Sequence, residues 1–218
     1  MAQPIPRSAR DDSVFIELTD HLRCPADHDE SFLVLLPDVM EGRSVRTGKL
    51  GCPVCGRTFQ LVDGVLDTGN APAVPADNKS VLDAEGLTAL VGLSGPGGYL
   101  VLVGPAGALW AEIAALNPGV ALVAVNPPPE VPDSVELSVL RGARLPIKSG
   151  SMRGVVLSRP FGDDPHWIRE AARVVLPGLR VVGEGEDPSA ELLELLASAE
   201  GAWVGTRART ESQKPGRR

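Results

Sequence analysis

The sequence predicts an α/β protein in which a small β domain precedes an open, mostly parallel sheet with helices on both faces. Short aliphatic segments such as Tyr99–Val103 and Ala121–Val125 alternate with helical segments in the second half, a pattern typical of parallel sheets. Only 4% of the residues are aromatic, which suits strands whose two buried faces carry valine, leucine and alanine. All three cysteines lie between Cys24 and Cys55, so the first part of the chain is expected to have a different architecture.

Composition divides the chain further. The expected segments are a disordered start (1–12), a small β domain (13–68), a linker (69–79), an α/β domain (80–205) and a basic, disordered tail (206–218). The linker is placed at Asn70–Asp77, which is rich in proline and alanine and has no periodicity.

The first domain is expected to begin with a helix over Phe15–Leu22, because Phe15, Leu18 and Leu22 fall on one helical face. A strand at Ser31–Leu36 follows, and the polar segment Pro37–Lys49 is predicted to be the connection of a hairpin. Two further strands are expected at Thr58–Val62 and Val65–Leu66, on either side of an Asp-Gly turn.

The second domain is expected to alternate helices and strands. The predicted helices are Val81–Leu93, Ala108–Leu116, Pro165–Leu176 and Ser189–Ala199, and the predicted strands are Tyr99–Val103, Ala121–Val125, Val135–Leu140, Gly154–Ser158 and Leu179–Gly183. Only Ala202–Thr206 remains between the last helix and the tail, so the sheet is expected to be truncated after its fifth strand.

Charge and hydropathy exclude several function classes. The formal net charge of −7 argues against a nucleic-acid surface over the whole protein. The basic tail is interpreted as a solubilising end, with weak contact to an anionic partner as the alternative. No apolar stretch approaches the roughly 20 residues of a membrane helix. Without a secretory signal, and with an odd number of clustered cysteines, the expected location is a reducing cytoplasm.

A metal site is predicted from the cysteines. Cys52-Pro53-Val54-Cys55-Gly56 has the spacing that turns two thiolates toward one tetrahedral ion, and the glycine permits a positive φ in the turn. The other half of the site is expected near Cys24-Pro25, where a symmetrical ribbon would have a cysteine at position 27. The sequence has Asp27 there, directly followed by His28.

We therefore predict a structural zinc site. The expected ligands are Cys24, His28, Cys52 and Cys55, with Asp27 as the rival fourth ligand. A four-ligand site has no open position for substrate, so the metal would stabilise the fold. Two alternatives remain: the cysteines could be small buried apolar residues, or Cys52 and Cys55 could be a redox pair.

The first domain resembles a family of short zinc-ribbon proteins that bind and activate tRNA, rRNA and release-factor methyltransferases. The resemblance covers about 50 residues, from "LTDHLRCPAD" to "LGCPVCGRTFQLVDGVLD". The matching positions are Leu18, Leu22, Cys24, Pro25, Cys52, Pro53, Cys55, Gly56, Phe59, Val62, Asp63 and Gly64. The resemblance implies a protein partner, a methyltransferase or another translation-related protein, and here the ribbon could also dock on residues 80–205 of its own chain.

The second domain resembles class I S-adenosylmethionine (SAM)-dependent methyltransferases, which have a Rossmann-like, doubly wound sheet. The family's first strand, glycine-rich loop and first helix correspond to "YLVLVGPAGALWAEIAAL". Its motif of a helix, a turn and the fifth strand is matched by "IREAARVVLPGLRVVGEG". The resemblance implies that Gly104, Ala106, Gly107 and Asn126 would contact SAM if it binds.

The chain departs from that family at the charged positions. Leu102 and Asn126 replace two acids of the cofactor site. In the loop Gly104–Ala108, alanine stands where two glycines are usual, and Arg141–Arg144 stands where an acid is usual near the end of the third strand. SAM binding is therefore expected to be weak or lost. His166 and Trp167 begin a helix near the acceptor side, but the sequence identifies no general base.

Two functions follow from these residues. The favoured one is a zinc-binding, non-catalytic, methyltransferase-like protein, a pseudoenzyme that acts through partner binding. The alternative is a small SAM-dependent methyltransferase with an atypical cofactor loop. A nicotinamide-dependent reductase is disfavoured because Gly-x-Ala-Gly is a poor dinucleotide fingerprint and no acid follows the second strand.

Overall fold

The structure is a computed structural model that describes residues 14–42, 44–75, 77–132, 137–189, 191 and 193–207. The predictions for residues 1–12 and for the tail beyond residue 207 lie outside them. The helices are α1 (Val14–Leu18), α2 (Ala84–Val91), α3 (Trp110–Leu116) and α4 (Pro165–Val174). The strands are β1 (Val34–Glu41), β2 (Ser44–Gly51), β3 (Thr58–Val62), β4 (Val65–Asp67), β5 (Tyr99–Val103), β6 (Ala121–Val125), β7 (Leu137–Arg141), β8 (Gly154–Leu157), β9 (Arg180–Glu184), β10 (Glu194–Ala199) and β11 (Ala202–Thr206).

These strands form one large mixed sheet. Over the described residues its order is β1-β2-β3-β4-β7-β6-β5-β8-β9-β11-β10. The strands from β4 to β9 in this order are parallel, and β1–β3, β11 and β10 pair antiparallel at the two ends. One apolar core contains residues of α4 and of the region from α1 to β4 (residues 14–67), which is called the ribbon below. The other core contains residues of α2 and α3. The predicted α/β class with a mostly parallel sheet is confirmed.

The end of the sheet differs from the prediction. The helix expected at Ser189–Ala199 is wrong for its described part, because Glu194–Ala199 is strand β10, paired with β11. Leucine, glutamate and alanine favour helix, but tertiary pairing overrides that local preference. Strand β11 lies between β9 and β10. Its Trp203 is fully buried in the apolar core that also contains α4. The sheet therefore continues for two strands beyond the expected truncation.

The remaining elements are close to the prediction. Strands β3, β5 and β6 have the predicted bounds. The segment Pro37–Lys49 is wrong as a connection, because β1 continues to Glu41 and β2 already begins at Ser44. The part of this segment that lies in β1 is exposed on both faces, so polar residues are compatible with a strand there. None of the described helices is long and apolar enough to cross a bilayer.

The ribbon docks on the α/β part of the same chain. Strand β4 pairs in parallel with β7, with Val65 opposite Val139 and Asp67 opposite Arg141. The ladder continues past β4, where the Thr68 N–H donates to the carbonyl of Arg141 at 2.8 Å. Leu18 and Leu22 are buried in the same core as residues of α4. The two predicted domains thus share a sheet and a core, as the hypothesis of docking within one chain proposed.

A polar network holds the ribbon against α4. Arg173 makes a two-point contact with Glu170, at 3.0 Å from Nε to Oε1 and 2.7 Å from Nη2 to Oε2. Arg23 of the ribbon lies 3.6 Å from Glu170 Oε1 and 3.5 Å from Glu30 Oε2. Burial alone would raise the pKa of Glu170, but the contacts with Arg173 and Arg23 and the Leu145 N–H outweigh it, so that the pKa is lowered.

We expect this network to make stability depend on pH in the acid range. Because the pKa of Glu170 is lower in the folded state than in the unfolded chain, its contribution is fully present above the unfolded value of about 4.3. That contribution is lost as pH falls through the folded value. The free energy of unfolding, measured with urea at neutral pH and again below pH 4, should fall less for Glu170→Gln than for the wild type. Equal losses would mean that Glu170 does not contribute.

Candidate metal centre and cofactor edge

Four metal-ligating side chains converge where the two cysteine segments meet. The candidate ligand atoms of Cys24, His28, Cys52 and Cys55 all lie within 4.8 Å of one another. The Sγ atoms of Cys24 and Cys55 are 3.8 Å apart, and Cys52 Sγ is 3.4 Å from His28 Nε2. Zinc–sulfur and zinc–nitrogen bonds in a tetrahedral site imply about 3.8 Å between two thiolates and about 3.5 Å between a thiolate and an imidazole. The cluster could therefore hold a zinc ion.

Backbone hydrogen bonds fix each half of the cluster. In the turn Cys52–Gly56, which is called the knuckle below, the Cys52 N–H donates to the carbonyl of Arg57 at 2.9 Å and the Gly56 N–H donates to the carbonyl of Cys52 at 3.0 Å. Gly56 has a φ of 71°, a conformation that glycine adopts without strain. In the other half, His28 Nδ1 lies 2.7 Å from the carbonyl of Asp29. A proton on Nδ1 in this contact leaves Nε2 free to bind metal.

The same contacts affect ionisation of the ligands. Burial raises the pKa of the Cys24 thiol to about 11, and neighbouring Cys52 and Cys55 add to the rise. Burial would also raise the pKa of Cys52, but hydrogen bonds from the N–H groups of Cys55 and Val54 outweigh it and lower the pKa to about 6. The lowered pKa favours the thiolate of Cys52, which is the form that binds metal.

Asp27 has another partner. Its Oδ1 lies 2.7 Å from Arg144 Nη1, and its side chain is 84% exposed. The carboxylate therefore points toward the loop after β7, and the described cluster contains His28 in its place. The redox interpretation also lacks its structural context, because the knuckle leads into β3 and not into a helix.

The predicted cofactor residues lie together at the carboxyl ends of the parallel strands, but the chain's own side chains cover them. Gly104, directly after β5, has a φ of 73°, and a Cβ built there would lie 2.6 Å from the ring of Phe161. The Ala106 N–H donates to Ser158 Oγ at 2.7 Å. Both residues are buried, so neither loop position presents free backbone to a ligand.

The other two predicted cofactor residues are covered in the same way. A Cβ on Gly107 would lie 2.8 Å from the Pro127 side chain. Asn126, directly after β6, is 1% exposed. Its Nδ2 donates to the carbonyl of Gly142 at 2.8 Å, and its Oδ1 accepts from the Gly142 N–H at 2.9 Å. The amide that could bind a ribose is therefore used to join the ends of β6 and β7.

Restoring the acid expected after β6 should destabilise this contact. In Asn126→Asp, the donor to the Gly142 carbonyl becomes an acceptor and leaves that buried carbonyl without its partner. We expect a loss of about 1–3 kcal/mol in the free energy of unfolding, measured by urea denaturation, and no gain of SAM binding. Unchanged stability would contradict the assigned role of Asn126.

Sequence reasoning missed the residues that cover this edge. Phe161 and Ser158 follow β8 in the segment Ser158-Arg159-Pro160-Phe161, and a proline followed by an aromatic residue at a strand end was the available signal. Glu184, at the end of β9, was also missed. It is fully buried, and its Oε1 accepts hydrogen bonds from Ser80 Oγ and the N–H groups of Val81 and Leu82.

His166 and Trp167 lie at the start of α4, as predicted. His166 Nε2 is 3.1 Å from the carbonyl of Ala143, and the buried Trp167 ring meets the Phe161 ring edge to face, with centroids 4.8 Å apart. Neither contact forms a catalytic pair, and both support a packing role.

Comparisons with known proteins give fold likenesses only. No protein-family model and no curated protein matches the sequence. Among solved structures, the complex of the Haloferax volcanii Trm112 methyltransferase activator with a candidate methyltransferase matches at 20% identity and a TM-score of 0.37, over 44% of this chain and 50% of that one. A candidate SAM-dependent methyltransferase from Methanococcus maripaludis matches at 13% identity and a TM-score of 0.46, over 60% of this chain and 85% of that one.

A third structure, geranyl diphosphate C-methyltransferase from Streptomyces coelicolor with S-adenosyl-L-homocysteine, matches at 17% identity and a TM-score of 0.39, over 46% of this chain and 41% of that one. The match thus spans half or less of the first and third of these chains. We draw no functional conclusion from these likenesses.

Proposed function

We propose that this protein is a zinc-binding, methyltransferase-like protein that does not bind SAM and acts by binding a protein partner. The observation that carries the proposal is that the chain's own side chains cover the carboxyl ends of the parallel strands. The Phe161 side chain lies over Gly104, and the Pro127 side chain lies over Gly107. The Ala106 N–H already donates a hydrogen bond to Ser158 Oγ. A cofactor would have to displace packed side chains and leave buried polar groups without partners, at a cost that its own contacts must exceed.

Zinc has a structural role in this proposal. Cys24, His28, Cys52 and Cys55 would supply four ligands and leave no position for substrate. The metal would join the segment after α1 to the segment before β3, and so support the strand β4 that docks on β7. Thiolate ligands require reducing conditions, and we accordingly propose a cytoplasmic location.

The partner is proposed to be a separate protein. The ribbon strand β4 is already paired with β7 of its own chain. The hydrogen-bonding edge of β4 that faces β7 is therefore not free to pair with a strand of a separate methyltransferase. An outside partner would bind another surface, and a methyltransferase or translation-related protein is the class that the family resemblance implies.

Calorimetric titration with SAM and with S-adenosylhomocysteine tests the proposal. We expect no heat of binding at micromolar to millimolar ligand for folded protein that carries one equivalent of zinc. The folded state is checked in the same sample by a cooperative thermal transition. Micromolar binding of either compound would overturn the non-catalytic function.

One observation favours a second candidate, a SAM-dependent enzyme with a displaced cofactor. A cavity of about 430 Å³ lies beside the covered edge and is lined by Pro105, Leu109, Pro128, Glu130 and residues 78–83 among others. Glu130 could there supply the ribose contact that Asn126 does not. If SAM does bind, Glu130→Gln should weaken binding at least tenfold, whereas Glu112→Gln should not.

A further inference from the structure

A second cavity lies where β8 leads into α4. Its volume is about 240 Å³, and it is lined by Pro72, Pro160, Phe161, Asp163, Asp164 and Trp167. The proline and aromatic side chains form its apolar walls. The two aspartates are exposed and lie on its polar side. An apolar cavity with carboxylates beside it differs in chemistry from the covered cofactor edge.

The two aromatic walls of this cavity are packed against the core. Phe161 is 2% exposed and packs against Gly104, and Trp167 is 4% exposed. The two rings meet edge to face at 4.8 Å. A side chain that enters the cavity would therefore meet preformed walls, which lowers the entropic cost of its binding.

The two aspartates are also held in place. Asp163 Oδ1 accepts a hydrogen bond from the Glu186 N–H at 2.7 Å, and Asp164 Oδ1 accepts one from the His166 N–H at 2.8 Å. Asp163 Oδ2 lies 3.6 Å from Arg159, which is itself half exposed. The carboxylates are thus fixed by backbone contacts and still present charge to solvent.

Further acids lie on the neighbouring loops. The Gly185 N–H donates to the Gly201 carbonyl at 2.7 Å, which brings the loop after β9 next to the turn between β10 and β11. These loops carry exposed Glu186, Asp187 and Glu200. We call Asp163, Asp164, Glu186, Asp187 and Glu200 the acidic rim. A surface of this charge repels nucleic acids and anionic membranes and attracts cationic groups.

We propose, as a deepening of the proposed partner-binding function, that this cavity and the acidic rim form a docking surface for a protein segment that inserts a lysine or arginine side chain. The aliphatic stem of such a side chain would pack on the prolines and aromatic rings while its charged end meets Asp163 and Asp164. The complementary charge of the rim selects a basic segment over an apolar or acidic one.

The test uses full-length, zinc-loaded protein and a synthetic peptide of alternating glycine and lysine. The binding site is located by NMR of the indole N–H signals of the three tryptophans. The signal of Trp167 should shift on titration, whereas that of Trp110, which lies on α3 beside the other apolar core, should not. The same peptide with acetylated lysines is the charge control and should not bind.

The decisive variant is Asp163→Asn with Asp164→Asn, because asparagine still accepts the hydrogen bonds from Glu186 and His166. We expect about tenfold weaker peptide binding. The matched control is Glu85→Gln with Glu112→Gln, which removes two exposed charges from α2 and α3 and should change affinity less than twofold.

Two outcomes would overturn the docking surface: no peptide binding, or equal weakening by the two double variants. A gain in affinity when residues 208–218 are deleted would overturn the outside partner, because the chain's own basic segment would then be the occupant. Because SAM binding is measured separately, failure of the peptide test leaves the absence of cofactor binding in place.

Discussion

Cys52→Ser is expected to abolish zinc binding and to unfold the ribbon. Cys52 is buried, accepts hydrogen bonds from its knuckle and lies within ligand distance of His28. A structural zinc site contributes about 10–16 kcal/mol in zinc-finger peptides, which is comparable to the whole stability of a domain. Zinc content by mass spectrometry should fall to zero, and amide exchange should become fast in β2, β3 and β4.

The matched control is Asp27→Asn, which removes the carboxylate that competed with His28 as fourth ligand. Asp27 contacts Arg144 at the surface, so the variant should retain one equivalent of zinc and lose at most about 1 kcal/mol of stability. A wild-type protein with well under one equivalent of zinc, or a Cys52→Ser protein with a protected ribbon, would contradict the metal site.

Phe161→Ala is expected to cost about 3–5 kcal/mol in the free energy of unfolding, because the buried ring leaves a cavity between Gly104 and Trp167. Urea denaturation measures the loss. Phe32→Ala serves as the control, since Phe32 is 56% exposed and its replacement should cost less than about 1 kcal/mol.

The same variant tests how the cofactor edge is closed. Removing the ring uncovers Gly104 but leaves the Ala106 N–H bonded to Ser158 and the Asn126 amide bonded to Gly142. We therefore expect no SAM binding by Phe161→Ala. Micromolar binding would contradict closure by several independent contacts and would show that one side chain alone excludes the cofactor.

Local patterns predicted the elements whose burial follows from short-range sequence. Tyr99–Val103 and Ala121–Val125 are aliphatic on both faces because parallel strands are covered on both sides, and their bounds match the prediction. The convergence of Cys24, His28, Cys52 and Cys55 was predictable for a related reason, since the Cys-Pro-Val-Cys-Gly turn encodes half of this cluster within five residues.

Long-range contacts decided the rest. Glu194–Ala199 has helical residues but becomes a strand because β11 lies beside it. Asn126 resembles a weakened cofactor residue in the sequence, yet Gly142, sixteen positions away, takes both of its hydrogen-bonding groups. The position of Phe161 over Gly104 depends on the pairing of β5 with β8, and a linear pattern does not contain it.

Native mass spectrometry of the full chain in the presence of excess SAM tests the central claim most directly, because it detects metal and cofactor on one molecule. We predict the mass of the chain plus one zinc ion, with no SAM adduct at any charge state. A species that carries one SAM per folded chain would contradict the proposal that this methyltransferase-like fold has lost its cofactor.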